Sequence, residues 1–376
     1  MAFLGISEFK HFVGVVEDRH DPEKLGRLRV RCLGLHTSDK NKIASSDLPW
    51  ASVLLPTTSA GISGLGQSPS FIVEGAWVWG YFRDGNGLMQ EMVIVGTLPG
   101  RPAELGNTES GFYDPNFRLD KDGNPTTISV YPKEMAEPDT NRLAVNNPEK
   151  EHTTLTQRKS LREFYKNIPT ADFDEVGSNI AASDTDNWAQ PAITYNAVYP
   201  YNHVFESESG HIREYDDSFT IDEDGIRTNH YRIHERHSSG TSYEIDTAGN
   251  RIDLNMASYF NITQKDNKHY IKGNSDVTID GRHKVFINKS GIADNNYDIQ
   301  VGPNANVNIQ VDNGNLNVVT KTGQFNFDVG ADFNCNVAGN YNLNVQGNET
   351  KTVEGSTTHN TTGSTTIRGR TIDLNP

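Results

Sequence analysis

From Asn334 to Gly355 the chain reads NCNVAGNYNLNVQGNETKTVEG, and the triplet Val-x-Gly returns in it three times, eight residues apart. Here and just upstream the odd positions are apolar: Phe325, Phe327 and Val329, then Phe333, Cys335 and Val337, then Tyr341, Leu343 and Val345, with Val353 one repeat later. The even positions are mostly Asn, Asp and Gln. Period-two alternation buries one set of side chains and wets the other. Because eight is even, every repeat keeps the same face inward. Gly339, Gly347, Gly355 and Gly363 then mark corners where the backbone turns and a side chain would be in the way.

Length decides what such a repeat can build. Eight extended residues reach about 26 Å. Opposed sheet faces must approach to roughly 10 Å before their side chains fill a core. A coil closed around that core needs three sides, and one repeat supplies one of them. Three copies winding together close it, so the spacing predicts an intertwined homotrimeric triple-stranded β-helix. A single-chain β-helix would need a repeat about twice as long, or three short ones per turn. The calcium-binding nonapeptide array is disfavoured, since the sequence holds no Gly-Gly pair. Simple Asn/Thr low complexity would not hold the parity.

By the same parity Glu349, Lys351, Thr357, His359 and Thr361 face inward, each a ring of three in a trimer. Glu349 and Lys351 are placed to pair between copies, offsetting part of the cost of burying charge. A His359 ring either holds an ion or water or is a hydrogen-bonded filler, the commoner use. The phase slips between Val311 and Phe325, which predicts a bulge or irregular turn. A prism that stops leaves strand edges near Ile372 and Leu374, and calls for a separate tip protein.

The remainder divides in two. Residues 1–100 carry short alternating runs, read as strands at His11–Val16, Leu25–Leu33, Ala51–Leu55, Gly75–Phe82 and Glu91–Thr97, with a hairpin turn at Asp84–Gly87. Five strands in this length predict a small closed barrel of the OB type. In GRLRVRCLG one face is Leu28, Val30 and Cys32, and the other is Arg27, Arg29 and Arg31. That arginine row is read as a solvated or partner-facing strand rather than a nucleic-acid stripe. Residues 101–199 are rich in Pro, Asn, Asp and Thr and read as an extended linker. One short helix is predicted around TLTQRKSLREFYKNI, with Leu155, Leu161 and Phe164 as its face. Residues 200–376 return to β pattern as the spike.

Composition narrows the function classes. The 376 residues carry a net charge of −15 and no basic block, which disfavours capture of nucleic acid or an anionic membrane. Only 35% of residues are hydrophobic, which argues against one large core. Cys32 and Cys335 lie far apart, so neither a disulfide framework nor a cysteine zinc site is expected. No secretory leader or membrane-length apolar run is read, so a soluble product made in a cytosol is expected. HERH (His234–His237) has two residues between its histidines where a zinc-protease helix needs three, and it lies in a strand-like run. DKDGN (Asp120–Asn124) and DEDG (Asp222–Gly225) miss the calcium-loop spacing and read as turns. Nucleophile elbow, phosphate loop and dinucleotide fingerprint are all missing. No catalytic, cofactor or metal residue is therefore assigned, and no cofactor.

Residues 1–100 resemble the N-terminal OB domain of the central spike (cell-puncturing) proteins of contractile-tailed phages. The matching words are DRHDPEKLGRLRVRCLGLHT, LPWASVLLPTTSAG, GLGQSP and WVWGYFRDGNGLMQEMVIVGTLPG. YPYNHVFESESGHIREYDDS and RIHERHSSGTSYEIDTAGN look like the start of that family's triple-stranded β-helix, a style shared with type VI secretion spikes. The best-known members carry a lysozyme domain between barrel and needle, where this chain has its linker. The resemblance implies a non-enzymatic needle in the virion tail baseplate, assembled in the host cytoplasm, that pierces the host outer membrane on contraction. It implies as partners its own copies, a trimeric hub bound by the OB domain and a PAAR-like tip protein, with no nucleic acid. A receptor-binding tail fibre and a cryptic peptidoglycan hydrolase are the rival readings.

Overall fold

The computed structural model describes residues 10–85, 87–104, 106–129, 138–146, 195–277, 279, 281–288 and 296–373. The chain divides into two units, 1–282 and 283–376.

The first unit opens with five strands: β1 (His11–Asp18), β2 (Leu28–Cys32), β3 (Trp50–Val53), β4 (Trp77–Phe82) and β5 (Met92–Thr97). They close a barrel in the order β1-β2-β3-β5-β4, with β3 and β5 parallel and the other pairs antiparallel. Phe12, Val16, Leu28, Val30, Cys32, Ala51, Val78, Phe82, Met92 and Ile94 fill its interior. Leu28, Val30 and Cys32 are the inward face that alternation predicts. Burial pushes the Cys32 thiol up to about 12, so it behaves as a small apolar side chain. At Gly80 the wall bends beside a register shift, and an added Cβ would strike the Val93 carbonyl and lie 2.7 Å from the Phe12 ring. The predicted turn is present, with the Gly87 N–H donating to the Asp84 carbonyl at 2.7 Å.

The arginine row corrects the sequence reading at one residue. Arg31 is fully buried rather than solvated. Its Nε and Nη2 donate to Glu17 at 2.7 and 3.0 Å, and Nη1 and Nη2 donate to the Thr37 and Ile43 carbonyls. Ser45 Oγ and the Phe112 N–H complete the shell of Glu17. Burial raises the Glu17 pKa, but bonds from Arg31, Ser45 and Phe112 outweigh it and hold the carboxyl below its ordinary value. Loops crossing outside the barrel supply the cover, which no count along one strand foresees.

Within 101–199 the described residues include a hairpin, β6 (Phe117–Leu119) with β7 (Pro125–Ser129), in place of plain extended chain. Its turn is the predicted Asp120–Asn124, with Asp120 Oδ1 accepting from the Asp122 and Asn124 N–H groups. The helix expected near Leu155, Leu161 and Phe164 lies outside the described residues.

The next seven strands are β8 (Asn202–Glu206), β9 (Ile212–Asp216), β10 (Phe219–Ile221), β11 (Arg227–Asn229), β12 (Arg232–Arg236), β13 (Ser242–Ile245) and β14 (Arg251–Leu254). Five form an antiparallel sheet in the order β14-β13-β12-β9-β8, and β10 and β11 make a separate hairpin between β9 and β12. This stretch, grouped with the repeat in the sequence reading, thus pairs within one copy. Tight turns ending in Gly210, Gly225, Gly240 and Gly249, all with positive φ, return each strand onto its neighbour.

One face of that sheet buries charge. Glu214 pairs ionically with Arg232, whose Nη2 lies 2.8 Å away, shares a hydrogen bond with His234 Nδ1 at 2.8 Å and accepts from Asn202 Nδ2 at 3.0 Å. Arg232 also meets Glu244 at 3.2 Å and stacks on the Tyr195 ring. Burial pushes the Glu214 pKa up, but the charges and bonds of Arg232, His234 and Asn202 win and hold it at about 2. Leu143, itself buried, packs here with Ile212, Tyr195 and Val204.

Candidate functional site

Past Leu254 the described residues form no strand pairing within the chain, yet their backbone is regular. It runs straight for six residues and bends at 330–331, 338–339, 346–347, 354–355 and 362–363, a repeat of eight. Gly339, Gly347, Gly355 and Gly363 each occupy a bend, as the corner reading requires. None shows a positive φ, and an added Cβ would meet nothing of its own chain within 4 Å. Nothing within a single copy demands glycine at these corners.

The phase slip resolves into two longer bends. Residues 312–314 and 321–323 are bends of three residues instead of two, so each adds one residue to the repeat. Side-chain parity therefore flips twice: Val307, Ile309 and Val311 are odd, Leu316 and Val318 even, and Phe325, Phe327 and Val329 odd again. Counted from the bend that follows, all of these take the same places in their straight segments. Bends at 256–257, 264–265 and 272–273 carry the same ruler back to the end of β14. The sequence reading begins the pattern only at VTIDG (Val277–Gly281), although Gly273 signals the earlier start.

Every residue of 296–373 is exposed. The apolar set is wet: Phe325, Phe327, Phe333, Val337, Tyr341, Leu343, Val345 and Val353 range from 44% exposed at Val345 to 71% at Tyr341. Phe327 lies 4.7 Å from the Phe325 ring and 5.8 Å from the Phe333 ring across the next bend, so successive segments turn their apolar sides the same way. Cys335 is an exposed free thiol, and Glu349, Lys351, Thr357, His359 and Thr361 are exposed as well. Ile372 is 50% exposed, and Leu374 lies outside the described residues. An apolar stripe of this length is far beyond the isolated exposed side chains that monomers tolerate, and marks an interaction face. Its unpaired N–H and C=O groups make it equally a surface for strand pairing.

The motifs considered for catalysis take structural places. His234 sits in β12, bound to Glu214 within the buried ion pairs, and His237 stands in the following turn. Asp222–Gly225 is the turn of the β10–β11 hairpin. Among the described residues Asp18, His20 and Glu74 lie close enough to share a cation. The Arg19 guanidinium already stands 3.2 Å from Glu74, supplying the positive charge that such a cluster would seek.

Residues 34–187 match the family described as the Gp5 N-terminal OB domain, a span that takes in β3, β4, β5 and the β6–β7 hairpin. Over 307 residues the chain is 36% identical to Protein Gp5 of Vibrio phage KVP40, covering 74% of this chain and 65% of that protein. Over 126 residues it is 44% identical to the pre-baseplate central spike protein Gp5 of Enterobacteria phage T4, covering 31% of this chain and 21% of that one. The chain thus spans less than two thirds of the length of either relative. With its five-stranded barrel and these two similarities, it carries a Gp5 N-terminal OB domain and is homologous to the phage Gp5 proteins.

Proposed function

We propose that this chain is the central spike of a contractile phage tail, a homotrimeric needle in the virion baseplate that pierces the host outer membrane on contraction. The observation that carries the reading is the wet apolar stripe with corners every eight residues. A straight segment of six residues spans about 20 Å, one wall of a tube roughly 10 Å across. Two further copies supply the missing walls as an intertwined triple-stranded β-helix. Each Val, Leu or Phe so covered contributes roughly 1.5–3 kcal/mol. Separation of copies and unfolding of the needle then become one event, which suits a part loaded along its axis.

On this reading residues 1–100 are the collar, 101–199 the linker and 200–376 the spike, with the sheet of 202–254 as its base. The collar seats on a trimeric hub, and a PAAR-like protein caps the edges near Ile372 and Leu374. The protein works mechanically and is not an enzyme; a clear peptidoglycan zymogram would speak against that clause alone. The trimer itself is tested by light scattering on the purified full chain. A particle of three copies that resists SDS until heated is expected, and a monodisperse monomer would refute the proposal.

A further inference from the structure

The inward places of the needle are not chemically uniform, and among the described segments from 324 onward the one with an ionic pair stands where identical walls need distinguishing. Segments 324–329, 332–337 and 340–345 offer near-equivalent sets: Phe325, Phe327, Val329; Phe333, Cys335, Val337; Tyr341, Leu343, Val345. A copy displaced along its neighbours by one repeat would still lay apolar side chains on apolar side chains. Periodic strands of this kind specify register weakly. Segment 348–353 is different, with Glu349 and Lys351 at the first two inward places and Val353 at the third. Segment 356–361 follows with Thr357, His359 and Thr361, and so offers no second ionic set.

We propose that Glu349 and Lys351 fix the register in which three copies meet. This rests on the trimeric reading above. In register, three carboxylates and three ammonium groups share one level, their charges cancel, and each has an opposite charge on a neighbouring copy. Displaced by one repeat, the pair of one copy faces Tyr341, Leu343 and Val345, or His359 and its threonines, and stays buried without an opposite charge on the neighbouring copies. Removing one partner from a buried pair is far more costly than never having the pair at all. The ionic segment therefore penalises the slipped assembly more than it stabilises the correct one. A single polar position in a coiled-coil seam acts in the same way.

The test separates register from assembly. In the full chain with Cys335→Ala, Asn344→Cys carries a nitroxide on the wet face, and electron double resonance reads the distances between copies. Cys32, buried in the barrel, does not take the label. One narrow distance is expected. With Glu349→Val and Lys351→Val together, trimers still form, but a second, shorter population appears, from labels brought onto the same wall. One repeat lifts a copy by one strand spacing, roughly 4.8 Å, and carries its label round to a neighbouring copy's wall. Glu349→Val alone loses trimer yield, and the exchange Glu349→Lys with Lys351→Glu restores both yield and the single distance. A double-valine variant with one unchanged narrow distance overturns the proposal. So does one that fails to trimerise, since the charges would then supply affinity rather than register. A parent chain with no interspin distance refutes the trimer itself.

Discussion

Replacing Glu17 by alanine tests how the barrel's outer loops are held. Arg31 has no exposed side-chain surface, and two of its four hydrogen bonds end on Glu17. Glu17→Ala removes both and also strands Ser45 Oγ and the Phe112 N–H, which have that carboxylate as acceptor. The guanidinium would be left charged and buried, facing only the Thr37 and Ile43 carbonyls. Breaking a buried pair from one side costs about 3–5 kcal/mol, a large share of the roughly 5–15 kcal/mol that holds a domain together. Urea unfolding of the full chain followed by tryptophan fluorescence reads this directly, because Trp50, Trp77 and Trp79 sit on β3 and β4. The variant's transition should move to lower urea by that amount. Glu17→Met with Arg31→Met should recover most of the loss, since well-packed apolar replacements of buried pairs are often neutral. A single alanine variant within about 0.5 kcal/mol of the parent, the size of an ordinary surface change, would show that the pair does not anchor these loops.

Three further outcomes follow from the same structure. Val345→Asp sets three like charges on the proposed axis, and light scattering should find monomer; a normal trimer would mean that Val345 does not face inward. Gly80→Ala forces a methyl against the Val93 carbonyl and the Phe12 ring, and should cost the barrel about 1–3 kcal/mol by the same urea assay; an unchanged midpoint would show that the wall yields there. The Glu214 carboxyl is held at about 2 against an ordinary 4.5, so its stabilisation is present above the ordinary value and disappears as pH falls through the folded one. A shift of this size is worth about 3 kcal/mol, so hydrogen exchange across 202–254 should lose protection between pH 4.5 and 2. Glu214→Gln should remove most of that pH dependence, and an identical acid profile in the variant would contradict the assignment.

Much of the fold was legible because its signals are local. Strict alternation placed Leu28, Val30 and Cys32 inward, and the Asp84–Gly87 turn announced the β4–β5 hairpin. DEDG at 222–225, read as a turn, has three equally local companions: with SESG, HSSG and DTAG at 207–210, 237–240 and 246–249 it makes the four turns that fold 202–254 into hairpins. Taken together, the four turns separate that sheet from the octad run. Arg31 could not be read this way. Its neighbours Arg27 and Arg29 share its parity, and only loops arriving from Thr37, Ile43, Ser45 and Phe112 make its surroundings different.

For the octad run, sequence alone determined the ruler, the side on which apolar groups lie and the corner glycines, since period and parity are properties of a chain read residue by residue. Tertiary structure decided that the corners at 312–314 and 321–323 take three residues, that the ruler starts just after β14, and that a carboxylate and a guanidinium are enclosed beneath the barrel's outer loops. Those outcomes depend on how many residues a bend consumes and on which distant segment covers a side chain, and both are settled only when segments far apart in sequence meet.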